Sequence, residues 1–262
     1  MQAETGPHAD WLLPGWQAPG IGALMTTRHG GVSQGSFQSL NLRDGLGDDT
    51  VAVRRNKALL HAAIGAQPVF LNQVHGAQVV RLYEPDGAHD APVHTADASV
   101  TTEPGLACTA QVADCLPVLF AAPNARAVGA AHAGWRGLAL GVLEATLESV
   151  CALADCAPSE VKVWLGACIG PRRFEVGADV LDAFGASPTG SAAALFVHHA
   201  PGKWLANLPQ LARERLRAAG VQAITGGEWC TVEEDSRFFS FRRDGVTGRM
   251  AAAIWVERRR GA

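Results

Sequence analysis

Between Ala98 and Ala131 four short apolar runs follow one another with little but turn residues between them. They cover residues 98–101, 105–109, 117–121 and 127–131. Runs this short, bounded by Gly, Pro, Asn and Asp, read as buried strands. They leave no room for a crossover helix at each step. Further strands are expected at 21–26, 69–71, 78–82, 161–165 and 250–256. Helices are expected over 51–64, with N-cap residues at 48–50 and a stop at Gly65, and over 209–219, closed by Gly220. A third starts past Gly137, where Leu138, Val142, Thr146 and Val150 share one face with Leu143 and Leu147. In the 209–219 helix, Arg213, Arg215 and Arg217 are expected to point outward. Strands outnumber helices and the order is not a strict βαβ alternation, so the fold class is α+β and layered. No linker or low-complexity segment divides the chain, so residues 1–262 are read as a single domain.

Hydrophobic residues make up 48% and charged residues 18%, enough for a core and too apolar for disorder. The net charge of −3 argues against a protein that coats nucleic acid. No apolar run approaches the ~20 residues that cross a bilayer. No basic segment followed by an apolar one opens the chain, so a cytoplasmic location is expected. None of the six cysteines forms a C-x-x-C pair, so they are read as free thiols. Cys168 is expected to be core.

Three polar residues stand in turns beside apolar strands: His75, Cys115 and His132. Two imidazoles and a thiolate suit Zn²⁺, and three protein ligands leave a fourth position open for chemistry. The same residues support a second reading, in which a His activates Cys115 as a nucleophile and Asp114 orients that base. A hydrogen-bonded turn His and a buried Cys are the bland reading. His132 lies at a strand-to-helix junction with Gly134, Arg136 and Gly137, a place suited to an anion. The loop 26–33 (TTRHGGVS) is glycine-rich but lacks the P-loop order. Residues 238–244 (FFSFRRD) read as a pocket wall or as a core strand ending in solvated charge. The basic tail 258–260 reads as solvated.

Taken together, NQVHG (72–76), ADCLP (113–117), HAGWRG (132–137), IGPRRFEVG (169–177) and FFSFRRDGVTGRM (238–250) resemble the YfiH, or laccase-domain, family. The resemblance runs from about Trp16 to Val256. It implies a four-layer α/β/β/α sandwich. It also implies zinc held by His75, Cys115 and His132, and purine nucleoside chemistry: phosphorolysis of adenosine, inosine and methylthioadenosine, with adenosine deamination. Motif position and residue type then make Arg28, Arg136 and Arg242 candidates for phosphate and Asn41 for substrate hydroxyls. Asp114 or Glu175 would move a proton. The partners implied are nucleosides and phosphate, with neither nucleic acid nor membrane, in a monomer or homodimer. An older label makes the family copper polyphenol oxidases. A multicopper centre needs roughly ten His, largely in H-x-H pairs. This chain has nine His and no such pair, so at most a single Cu²⁺ would replace Zn²⁺. A Cys–His amide hydrolase, a copper-dependent phenol oxidase and a non-catalytic binding role remain the alternatives.

Overall fold

The computed structural model describes residues 6–88, 90–185 and 195–258. Residues 259 and 260 of the basic tail lie outside the described residues.

Two sheets carry the fold. The smaller has the order β1-β13-β5-β2, from β1 (Ile21–Met25), β2 (Gln67–Val69), β5 (Leu106–Val112) and β13 (Met250–Val256). The larger has the order β12-β8-β6-β7-β4-β3, from β3 (Val79–Arg81), β4 (Ala98–Thr101), β6 (Leu116–Ala121), β7 (Val128–Ala133), β8 (Lys162–Leu165) and β12 (Ala223–Gly226). Both are mixed: β2–β5, β3–β4 and β8–β12 are parallel and the other pairs antiparallel.

Strand alternation sorts side chains into three cores. On β6, Val118 and Phe120 face one way, while Leu119 and Ala121 face the other sheet. On β13, Ala252 and Ile254 face the larger sheet, while Ala251 and Ala253 face α1 (Thr50–Ile64). The outer face of the larger sheet is covered by α3 (Val142–Ala154) and α5 (Leu208–Ala218). The result is helix, sheet, sheet, helix, the α+β four-layer arrangement. Gly129 sits where α3 crosses β7; a Cβ there would meet Val150 Cγ2 at 3.0 Å and Thr146 Cγ2 at 3.2 Å.

The α1 helix starts where expected: the Asp49 carboxylate accepts from Val51 N and Gly65 closes the helix in the left-handed region. The helix expected past Gly137 is two helices. α2 (Trp135–Ala139) ends before Gly141, whose φ of 93° breaks the path, and α3 begins there. All six of its expected inward residues are buried. Of the three α5 arginines only Arg217 is exposed; Arg215 pairs with Glu144 of α3, and Arg213 donates to the Gly226 carbonyl. Their long side chains reach across to neighbours, which helical spacing alone does not show. Unforeseen from the sequence is a small antiparallel sheet, β10-β11-β9, of β9 (Glu175–Val176), β10 (Phe196–Ala200) and β11 (Lys203–Ala206). Next to β9 lies a short α4 (Ala178–Ala183).

Candidate active site and metal centre

The larger sheet brings the ligand candidates together at one end of β4, β7 and β6. Register pairs Ala98 with Ala131, and Leu116 with Ala133. Asp97 and Cys115, each one residue before its strand, therefore flank His132 at the end of β7. His75 comes from the loop before β3, in the left-handed region with φ of 62°. Asp114 has φ of 97°, the sharp corner between β5 and β6 that turns Cys115 toward the site.

The ligand atoms of His75, Cys115 and His132 lie within 4.8 Å of one another. Cys115 Sγ is 3.8 Å from His75 Nε2, and the two imidazoles meet edge to face at 4.8 Å between centroids. His75 is exposed, Cys115 half-buried and His132 buried, so the trio opens to solvent on one side.

Asp97 was not singled out in the sequence. Its carboxylate is fully buried and accepts four N–H groups: Val74 N and Gly76 N on Oδ2, His75 N and His132 Nδ1 on Oδ1. Burial alone would raise its pKa. The His132 hydrogen bond and the backbone N–H groups outweigh it and hold the carboxyl below its ordinary value. Because His132 Nδ1 donates to Asp97, Nε2 carries the free lone pair or proton toward Cys115. For Cys115, burial pushes the thiol up, while the adjacent His132 charge and the imidazole hydrogen bonds bring it down to about 6. His132 is raised against its own burial by the Cys115 thiolate and Asp97. Each shift favours the charged form of its group, the Cys115 thiolate and the His132 imidazolium.

These residues fit a metal. Donor atoms around tetrahedral zinc stand roughly 3.5 Å apart, close to the spacing seen, and N₂S is a zinc-compatible set. A carboxylate that holds the far ring nitrogen of a ligating His, as Asp97 holds His132 Nδ1, is the usual support for such a ligand. Gly134 leaves the space free: a Cβ there would come 2.9 Å from both Cys115 Sγ and His75 Cδ2.

The trio forms part of the wall of a cavity of about 440 Å³. Arg43, Arg242 and Arg249 also line it, with Trp135, Phe174 and Phe241. Burial, then the neighbouring Arg43, pull the Arg249 guanidinium below its ordinary value, outweighing the opposing pull of Cys115 and Asp114. Arg43 and Arg249 lie 206 positions apart and are joined by Asn41. The buried Asn41 Oδ1 accepts from Arg43 N at 3.1 Å and Arg249 N at 2.9 Å, and its Nδ2 donates to Arg43 O and Asp48.

The sequence candidates therefore divide. His75, Cys115, His132, Asp114 and Arg242 line the cavity. Asp114, however, does not orient a His. Its oxygens accept from Thr231 Oγ1 and Arg242 N, both at 2.6 Å, and Asp97 does the orienting instead. Asn41 spends its amide on backbone and on Asp48, so it faces no substrate hydroxyl. Arg28 lies outside the cavity, stacked on Phe239 and bonded to the Gln38 and Asp235 carbonyls. Arg136 stacks on Trp135 at 4.3 Å on the exposed side. The Glu175 carboxylate lies 3.6 Å from His199 on the surface and does not line the cavity, although its carbonyl accepts from Arg242 Nη1 at 3.0 Å. Of the FFSFRRD run, Phe238 and Phe239 are core. Ser240 caps α6 (Phe241–Asp244), which presents Phe241 and Arg242 to the cavity. The cap explains why this is a helical turn and no strand.

A family model described as multi-copper polyphenol oxidoreductase laccase matches residues 22–257. The chain belongs to this family. YfiH-family relatives agree: a purine nucleoside phosphorylase of Pseudomonas aeruginosa is 47% identical over 94% of this chain and 98% of its own length. The purine nucleoside phosphorylase YfiH of Escherichia coli is 47% identical with the same coverage. Among solved structures, NMB0706 of Neisseria meningitidis aligns with a TM-score of 0.87 at 45% identity, over 95% of this chain and all of that one. YlmD of Geobacillus stearothermophilus aligns with a TM-score of 0.87 at 36% identity, over 95% and 96% of the two chains. Among the described residues of this YfiH-family chain, the His75–Cys115–His132 group is the one cluster of three or more metal-ligand side chains. No helix among them is long and apolar enough to cross a membrane.

Proposed function

We propose that this chain is a purine nucleoside phosphorylase that also deaminates adenosine, with a metal, Zn²⁺ first, held by His75, Cys115 and His132. The observation that carries the reading is the single cavity that joins an N₂S ligand set to three guanidiniums and three aromatic rings. The names of the relatives support it.

In this reading Arg43, Arg242 and Arg249 seat the phosphate, since guanidinium forks match its oxygens. Trp135, Phe174 and Phe241 offer faces and edges for a purine. Asp97 holds the His132 ring in one tautomer, so that Nε2 stays aimed at the reacting centre. A metal in the trio would supply Lewis-acid polarisation of a bound oxygen.

One observation favours a second reading. The thiolate–imidazolium pair of Cys115 and His132 is also the resting state of a thiol nucleophile, suited to amide hydrolysis. The copper oxidase reading is supported by the description of the matching family model and takes the form of a single Cu²⁺ in the same three-ligand group.

The test is product analysis by liquid chromatography. Protein receives adenosine and phosphate, before and after chelation and zinc add-back, beside His75→Ala and Cys115→Ala. Adenine, inosine or hypoxanthine that disappears in both variants and on chelation supports the proposal. No product from zinc-loaded protein sinks it, and amide hydrolysis that survives chelation moves the assignment to Cys115.

A further inference from the structure

Cys151 and Cys156 stand apart from the cavity, at the outer end of α3. Their approach follows from how that helix stops. Asp155 is left-handed, with φ of 49° and ψ of 59°, and its N–H donates to the Cys151 carbonyl. Cys156 N then donates to the same carbonyl at 3.2 Å. This is the six-to-one closure of a Schellman-type cap, whose first and last side chains are brought together on the outside of the turn, normally as an apolar pair. Here that pair is two thiols. Both are half-buried and both line one shallow groove between α3 and the end of α5. Each perturbs the other directly.

We propose that Cys151 and Cys156 form a reversible dithiol–disulfide site that reacts with small cationic or neutral disulfides. Burial, before any other cause, holds both thiols above their ordinary pKa, so exchange is slow at neutral pH and quickens as pH rises. Cys156 attacks first: it lies beyond the helix, and against burial and the Glu160 and Asp155 charges the Cys151 hydrogen bond and Arg126 favour its thiolate. Its sulfur forms a bond to one sulfur of the small disulfide, whose S–S bond breaks and releases one small thiolate. Cys151 then loses its proton and attacks the Cys156 sulfur, forming the Cys151–Cys156 bond and releasing the second small thiolate. The protein gives up two electrons and two protons, and the small disulfide is reduced to two thiols. Glu148 and Asp155 line the same groove beside Glu144, whose charge is paired with Arg215, so a cationic disulfide is drawn in and an anionic one repelled.

The experiment exposes the full chain to cystamine or to oxidised glutathione at equal concentration, low salt and mildly alkaline pH. Alkylation quenches it, and intact mass and peptide mapping follow. A Cys151–Cys156 cross-link, a loss of about 2 Da reversed by dithiothreitol, is expected, several-fold faster with cystamine. Cys151→Ser is expected to stop at a cystamine adduct on Cys156. Wild-type protein that yields two separate adducts, or both thiols alkylated and unlinked, overturns the site. Equal rates for the two disulfides at low salt overturn the charge selection.

Discussion

Asp97 Oδ1 accepts a 2.8 Å hydrogen bond from His132 Nδ1, and the remaining capacity of the same carboxylate is filled by the backbone of the loop that carries His75. One side chain thus fixes two of the three ligand candidates. Asp97→Asn keeps the shape but replaces one acceptor oxygen with a donor, which faces the N–H groups of Val74 and Gly76. Zinc affinity is expected to fall about 10–100-fold, and stability by ~2 kcal/mol. Chelator competition and urea unfolding measure the two effects.

Gly134 has an ordinary helical-entry backbone with φ of −62°, so Gly134→Ala tests space alone. The added methyl enters the gap between Cys115 and His75. Metal binding is expected to be lost while the circular dichroism spectrum and melting curve stay near wild type. Retained zinc stoichiometry would show that the gap is not the metal seat.

Cys115 in metal-free protein should be alkylated by iodoacetamide with a half-maximal rate near pH 6, rising with pH as the thiolate forms. In His132→Ala the favourable charge is gone, so the midpoint should move upward to ~8.5 or beyond. Bound zinc should suppress the reaction in wild type. A midpoint unchanged by the substitution would remove His132 as the cause.

Arg249→Ala should raise KM for phosphate at least ~10-fold, the loss of one charge-assisted contact. Arg136→Ala, outside the cavity, should leave it unchanged. Steady-state kinetics at varied phosphate separates the two, and the reverse order would return the phosphate to the α2 end.

Asn41→Ala removes four hydrogen bonds from a fully buried position and leaves the Arg43 and Arg249 amides unpaired. A loss of ~2–4 kcal/mol is expected from urea midpoints. Asn41→Asp restores the acceptors but not the donor and sets a carboxylate against Asp48, so rescue should be partial at best.

Local signals carried much of this. The strand runs between 98 and 131, the α1 cap and the inward face of α3 were all legible, because they depend on alternation, capping and helical period. The ligand candidates were legible as polar residues in turns beside strands. Asp97 was not, since a lone Asp before an apolar run looks like any turn residue, and only strand register places it against His132. Arg249 lay within a quoted motif, yet nothing local separates it from Arg242 or Arg243. The role of Asn41 depends on a partner 208 positions away. Arg28 and Arg136 are attractive as cations near glycine, but neither lines the cavity.

The Asn41 clamp has a further consequence. The ligand trio hangs on the paired ends of β4, β6 and β7, where a one-residue slip would turn every neighbouring side chain to the wrong face. The opposite wall, with Arg43 and Arg249, is irregular chain, tied by the Asn41 amide and by Leu42, whose N–H donates to the Arg249 carbonyl and whose carbonyl accepts from Gln111. The cavity is thus a fixed jaw facing an adjustable one: loop substitutions can retune which anion or sugar is gripped without moving the centre that does the chemistry.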